Sequence, residues 1–308
     1  MNCPGAITSF NELFRNISLN PSNITKYAEI GLVHRAERRA QLHGLLRVRA
    51  FHQDDAHIFL PIDDAVIRNQ ILEILEMMDT VYGVFGLSYS LELSTRPDDR
   101  IGSDELWDLS EGALKNALEA TGLPWKINPG DGAFYGAKID VHVKDRMGRS
   151  WQCGTIQVDF NLPERFDVKL RDGTRPVMLH RVIFGSIERF IGILLEHFKG
   201  KLPLWIAPEH VRLLPVADRF NDAAIIIENR LKEHGFRVKT DLRRESIRKK
   251  VKVATLAKVP YTIVIGEKEI AGEDWSVKVL GKEDNLTIPE AYFIRYLKKK
   301  IESKAIDY

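Results

Sequence analysis

The chain has 308 residues, 44% of them hydrophobic and 29% charged, enough for two domains of ordinary size with the composition of a globular protein. A net charge of +2 does not argue for nucleic acid unless basic residues cluster, no apolar run approaches a membrane span, and two cysteines make no disulfide framework. MNCPGAITSF at the start lacks a signal peptide's basic region and apolar centre, so a cytoplasmic location is expected.

In chain order, Ile7, Phe10, Leu13, Phe14 and Ile17 recur at helical spacing, which suits a helix packed on a sheet. Cys3 lies just ahead of it and by itself reads as a small buried hydrophobe. Residues 27–38, YAEIGLVHRAER, alternate like a strand with Glu29, Gly31, Val33, Arg35 and Glu37 on one face. After a polar, basic tip, residues 46–59, LRVRAFHQDDAHIF, alternate again. Arg47, Arg49, Phe51, Gln53, Asp55 and His57 share one face; the other is apolar except for His52 and Asp54. The two stretches are expected to pair as a long hairpin that sets Arg35 and Glu37 across from Phe51. A guanidinium forks onto phosphate oxygens and an aromatic ring offers a stacking face, so such a hairpin is equipped for an adenine nucleotide. The plain alternative is a half-solvated strand whose polar face meets water.

Residues 63–86 carry Val66, Ile67, Ile71, Ile74, Leu75, Met78, Val81 and Tyr82 at helical spacing, which is core packing. SYSLELS, residues 88–94, reads as a strand. Ser103 is an expected N-cap for a helix with Leu106, Trp107, Leu109, Leu114, Ala117 and Leu118 on its buried side. Between them, Arg96 and Arg100 are balanced by Asp98 and Asp99. The glycines of NPGDGAFYGAK would let backbone approach a ligand ahead of the strand KIDVHVK. In WQCGTIQVDF, Thr155, Gln157 and Asp159 share a face, and Gln152 has the other parity. Gln152 and Gln157 therefore reach one pocket only if the strand bulges near Gly154. His180 sits in an apolar strand, ordinarily the place of a satisfied core histidine, and the chain then turns through Gly185 into an apolar helix with Arg189 at its start. After Pro203 and Pro208, strands alternate with helices at residues 220–234, 246–257 and 289–303, a βαβ-type domain of about 100 residues. The basic stretches 35–49 and 237–258 are, taken alone, solvated faces as readily as nucleic-acid patches.

HRAE, LHGLLRVRAFHQDDAHIF and GSIERFIGIL resemble motifs 2 and 3 of the class II aminoacyl-tRNA synthetases. MNCPG, FYGAK and WQCGTIQVDF extend the resemblance, over nearly the whole chain, to the threonyl-tRNA synthetases among them. The resemblance implies an α/β chain: an α+β catalytic domain over residues 1–206, with an antiparallel sheet flanked by helices, then a smaller βαβ-type anticodon-binding domain over residues 207–308. It implies activation of threonine with ATP and transfer to tRNA(Thr). Arg35 would then meet the α-phosphate, Phe51 and Arg189 would enclose adenine, and Glu37 would lie at its edge. Arg47 would meet the outer phosphates, His43 these or the acceptor stem, and Gln152 and Lys138 would lie close by. Gln53, Asp55, Tyr135 and Gln157 would line the threonine pocket.

Cys3, His57 and His180 stand where the family carries three zinc ligands, although their long spacing would not alone argue for a metal. A metal bound by the substrate hydroxyl rejects valine, which an apolar pocket of the same shape discriminates weakly. Mg2+ accompanies ATP, and Arg243, Lys249 and Glu269 are the expected anticodon contacts. The sequence departs from the family in lacking motif 1, the dimer-forming segment, so it is expected to be a fragment or a reduced relative, and the homodimer belongs to the full-length family member. It departs also in Ala6 for histidine, Ala137 for proline and Lys278 for arginine. A non-catalytic tRNA-binding relative is the first rival expectation, and a class II enzyme for another small amino acid, against which the Cys3, His57 and His180 set argues, is the second.

Overall fold

A computed structural model describes residues 24–272 and 274–308, in two compact units divided after Ile193. Cys3 and the expected N-terminal helix lie outside the described residues.

Among the described residues, the first unit is built on a seven-stranded sheet: β1 (Thr25–His34), β2 (Ala50–Leu60), β3 (Tyr89–Ser94), β4 (Trp125–Asn128), β5 (Lys138–Lys144), β6 (Ser150–Asp159) and β7 (Val177–Val182). Its order is β1-β2-β7-β6-β5-β3-β4, with every neighbouring pair antiparallel except β3 and β4. The expected hairpin of β1 and β2 forms, with Val33 opposite Phe51, but both strands are shorter than the alternation suggested. Arg35 N–H still donates to Arg49 O at 2.8 Å, after which the Glu37 N–H turns back to Arg35 O and the chain leaves the ladder.

The helix α1 (Asp64–Val84) starts at Asp63, whose side chain accepts from Val66 N–H, and buries Ile67, Ile71, Ile74, Leu75, Met78 and Tyr82. The helix α2 (Asp104–Thr121) is capped by Ser103, ends at Gly122 with φ +67°, and buries Trp107, Leu114, Ala117 and Leu118. Leu109 is a correction: it is 49% exposed. Two residues carry it about 200° round the helix from Trp107, onto the opposite face. A second correction concerns Arg96 and Arg100. Their partners are acids of α2, with Arg96 on Glu111 and Asp108, and Arg100 on Asp104 at 2.7 Å. The helix, rather than Asp98 and Asp99, anchors this loop.

The register of β5 against β6 jumps from Val141 opposite Gly154 to His142 opposite Gln152, which leaves Cys153 as the extra residue. This is the bulge near Gly154 that Gln152 and Gln157 need to share a face. The glycines before β5 serve a different purpose from the expected one. A Cβ on Gly132 would lie 2.6 Å from Thr95 O, and one on Gly136 would collide with Val158 O, so both glycines let backbone pack on backbone rather than on a ligand. From β7 the chain turns at Gly185, φ +67°, into α3 (Ile187–His197).

The second unit, Leu194–Tyr308, has a five-stranded sheet in the order β12-β11-β10-β8-β9. Here β8 is Val211–Pro215, β9 Val238–Thr240, β10 Tyr261–Ile265, β11 Trp275–Val279 and β12 Asn285–Ile288. The first half follows the expected parallel βαβ winding, with β8 between β9 and β10. The strands β11 and β12 then add on antiparallel. The helices α4 (Asn221–Glu233), α5 (Ile247–Leu256) and α6 (Glu290–Glu302) complete the unit. Leu213, Ile227, Ile263, Val277 and Phe293 form its core. No described helix is long and apolar enough to cross a membrane.

Candidate active site

Strand register brings the sequence-predicted residues into rows. His57 on β2 stands opposite His180 on β7, His180 opposite Gln157 on β6, and Gln157 opposite Lys138 on β5. Directly opposed residues on adjacent strands point to the same face, so one row crosses the sheet from His57 to Lys138. Two residues along, Asp55 on β2 and Thr155 and Asp140 on β6 and β5 continue that face, with Thr155 opposite Asp140. Further along β2 come Gln53, bridged to Ser186, and Phe51.

At the Phe51 end is a cavity of about 120 Å³, with Arg35, Glu37, Arg47, Gln53, Gln152 and Arg189 in its wall. Arg35 lies over the Phe51 ring, 5.0 Å from its centroid. Arg47 pairs with Glu37 at 3.0 Å, and Arg49 Nε donates to Glu37 O. Arg189 is anchored by donating from Nε to Leu46 O at 2.9 Å and from Nη1 to Gln152 O at 2.8 Å. Burial and the neighbouring Arg35 and Arg47 pull its proton affinity below that of an ordinary guanidinium. Three guanidiniums against one carboxylate leave the cavity cationic, the electrostatic signature of a place for phosphate oxygens. One face of Phe51 is taken up by the Arg35 guanidinium.

The other end of the face is more enclosed. His57 and His180 are buried, with their rings edge to face at 4.9 Å between centroids, and Tyr135 meets His180 at 5.4 Å. Burial, reinforced by His180, pushes the His57 imidazole down to about 2, so it is neutral. His180 Nε2 lies 2.9 Å from Asp159 Oδ2. A carboxylate only accepts, so the Nε2 that faces it carries a proton. Asp55 is pushed up to about 6, chiefly by burial. Burial raises the Tyr135 phenol as well, keeping it protonated. Gln157 spends its amide N–H on Gly136 O at 2.9 Å, which leaves its oxygen for a ligand. Lys138 reaches Asp140 at 2.5 Å. His43 stacks on Trp151 at 6.4 Å and closes a small turn with Arg47.

Several residues that the sequence did not single out hold this arrangement. Asp159 orients His180, and its other oxygen accepts from the Asn161 and Leu162 N–H groups. Asp54 accepts from Ile183 and Phe184 N–H at 2.7 and 3.0 Å, fixing the turn that leads to Arg189. Glu188 takes the His52 N–H at 2.9 Å and meets its ring at 2.8 Å. His52 and Asp54, the polar breaks in the apolar face of β2, are therefore its ties to β7 and α3.

The tRNA synthetase class II core domain (G, H, P, S and T) matches residues 1–198, nearly two thirds of the chain. The chain belongs to the class II tRNA synthetases. The anticodon binding domain that accompanies this core matches residues 210–300. The chain is 48% identical to the threonine–tRNA ligase of Clostridium tetani, over 100% of this chain and 48% of that protein. It is likewise 48% identical to that of Clostridioides difficile, over 99% and 47%. It thus spans about half the length of the curated relatives it matches. A crystal structure of the RNA binding domain of threonyl-tRNA synthetase from Cryptosporidium parvum superimposes with a TM-score of 0.89 at 36% identity, covering 100% of this chain and 76% of that one. Prolyl-tRNA synthetase from the same organism, at 15% identity and a TM-score of 0.67, shares the fold.

Two of the three expected zinc donors, His57 and His180, lie within the described residues. Two buried imidazoles with their rings edge to face, one oriented by a carboxylate as metal-ligating histidines usually are, fit such an ion. Cys3 lies outside the described residues, and among those residues no group of three or more His, Cys, Asp or Glu is placed to hold a metal. In the anticodon-binding unit the three expected contacts are engaged locally. Arg243 pairs with Asp241 at 2.6 Å, Lys249 with Glu245 at 2.5 Å, and Glu269 accepts from the Gly266 N–H.

Proposed function

We propose that the chain is the aminoacylating part of a threonine–tRNA ligase, with a catalytic domain over residues 1–206 and an anticodon-binding domain over residues 207–308. It activates threonine with ATP and Mg2+ to threonyl-adenylate, then transfers the threonyl group to tRNA(Thr). The observation that carries this is the single sheet face on which a cationic, aromatic-backed cavity adjoins a buried pair of histidines, in a chain 48% identical to threonine–tRNA ligases.

In this assignment Arg35 draws charge from the α-phosphate as threonine attacks it and pyrophosphate leaves, and Arg47 neutralises the outer phosphate oxygens. Phe51 and Arg189 enclose adenine, with Glu37 and Gln152 at its periphery. Gln53, Asp55, Tyr135 and Gln157 line the threonine side, where Asp55 accepts from the substrate's amine, and Lys138 is assigned to the nucleotide. Cys3, His57 and His180 would hold zinc, which supplies a Lewis-acid position for the threonine amine and hydroxyl. The homodimer expected of full-length relatives, and a cytoplasmic location, belong to the same proposal.

Charging of a tRNA(Thr) transcript with labelled threonine, alongside the chain's zinc content by atomic absorption, tests it. Threonine incorporation by a chain carrying one zinc ion supports the assignment. No charging with any amino acid, by a chain that still binds the tRNA, would mark a non-catalytic tRNA-binding relative instead.

A further inference from the structure

Asp140 has no role in the assignment above, yet its carboxylate is buried against the site, 1% exposed, and both oxygens are occupied. Oδ2 accepts from Ser94 Oγ at 2.8 Å and from Lys138 Nζ at 2.5 Å. Oδ1 accepts from the Gln152 side-chain amide and from Thr155 Oγ1, the latter at 3.2 Å. Because a carboxylate offers no proton, the end of Gln152 turned towards it is the NH2 group, which also lies 3.2 Å from Thr155 Oγ1. Both N–H bonds of that amide are thereby used, and its oxygen is the part left to a ligand. The backbone of Gln152 is held too, since its carbonyl accepts from Arg189. Gln152 and Thr155 both line the cavity shared with Arg35, Phe51 and Arg189.

We propose that Asp140 is a positioning residue for the nucleotide: it fixes the Gln152 amide so that its oxygen is presented to a donor of ATP, an adenine amino or ribose hydroxyl group. This rests on the cavity being an ATP site. The bulge at Cys153 puts Gln152 in reach of Asp140, and Thr155, which donates to the same oxygen as the Gln152 amide, joins the two on the cavity side. An asparagine there has one accepting oxygen and one NH2, so it cannot serve both Lys138 and Gln152, and the Gln152 amide is released to rotate.

The test uses Asp140→Asn, Gln152→Ala, the double variant, and Ser94→Ala as a control that loses a bond to the same carboxylate away from the cavity. KM for ATP and for threonine are measured in pyrophosphate exchange, ATP affinity by calorimetry, and folding by Tm. Asp140→Asn is expected to raise KM for ATP about tenfold, the scale of one oriented, charge-assisted hydrogen bond, with a smaller change for threonine. It should add little once Gln152 is alanine, and Ser94→Ala should lower Tm while leaving KM for ATP within about twofold, since it removes no cavity group. A folded Asp140→Asn with wild-type KM for ATP, or effects of the two variants that simply multiply, overturns the proposal. If Asp140→Asn does not fold, Thr155→Val, which removes the hydroxyl between carboxylate and amide, must raise KM for ATP, and an unchanged value overturns it. If the wild type shows no threonine-dependent exchange, the ligase assignment fails separately. The calorimetric ATP affinity then decides, weakening in Asp140→Asn if Asp140 positions Gln152 and staying unchanged if it does not.

Discussion

Arg35, Arg47 and Arg189 each have their own anchor: the Phe51 ring, the Glu37 carboxylate, and the backbone carbonyls of Leu46 and Gln152. Arg189 reaches the backbone of Leu46 and Gln152, so its guanidinium is already aimed before any ligand arrives. A desolvated guanidinium packed on a π face contributes about 2 kcal/mol, roughly 30-fold. Arg189→Ala is accordingly expected to lower kcat/KM for ATP by that order in pyrophosphate exchange, with threonine KM little changed. Asp159→Asn keeps the size of the side chain at His180 but allows the imidazole to change tautomer. Loss of such an orienting carboxylate weakens a metal site by about 10–100-fold. Competition with a chromogenic chelator is the measurement, and unchanged zinc retention would refute the orienting role. At this scale the face of β2 was legible because strand parity sorts side chains without any knowledge of partners. Asp54, Asp140, Asp159 and Glu188 were not, since a carboxylate's role depends on which donors the fold brings to it. Asp54 and its two N–H donors, at Ile183 and Phe184, show how far apart in sequence such partners stand.

Between elements, the decisive feature is the turn from β7 into α3. Gly185 has φ +67°, and a Cβ there would lie 2.5 Å from Cys153 O on the bulge of β6. Gly185→Ala therefore meets both backbone strain and a collision, each worth about 1–3 kcal/mol. A lowered Tm with a raised KM for ATP is expected, because the turn carries Arg189. Glu188 adds a pH dependence to the same junction. Burial would raise its carboxyl, but the bonds from the His52 ring and N–H outweigh it and hold it below the ordinary 4.5. The stabilisation is present above that value and is lost as pH falls through the lowered one. Thermal melts should show a loss of Tm on acidification below about 4.5 that is smaller in Glu188→Gln, and identical acid profiles would refute the tie. The bulge near Gly154 was legible because two glutamines of opposite parity needed one pocket. The purpose of Gly132 and Gly136 was not, because a glycine pressed on backbone and a glycine pressed on a ligand have the same letter in the sequence.

For the whole molecule, the alternation of strands and helices after Pro208 was enough to separate a second α/β unit, and the winding of β9, β8 and β10 follows it. The antiparallel direction of β11 and β12 was not read, although WSVKV alternates apolar with polar residues as a strand with one covered face does, because the βαβ alternation before it set the expectation. The seven-stranded sheet is what makes one site out of residues scattered from Arg35 to Arg189, and the account stands or falls with the chemistry placed on it. The most direct measurement is amino-acid-dependent exchange of labelled pyrophosphate into ATP by the whole chain, run with threonine, serine and valine, with and without a zinc chelator. Exchange that requires threonine, fails with valine and disappears as zinc is withdrawn is the predicted result. Exchange supported equally by valine, or undiminished in a chain shown to be free of zinc, would contradict it.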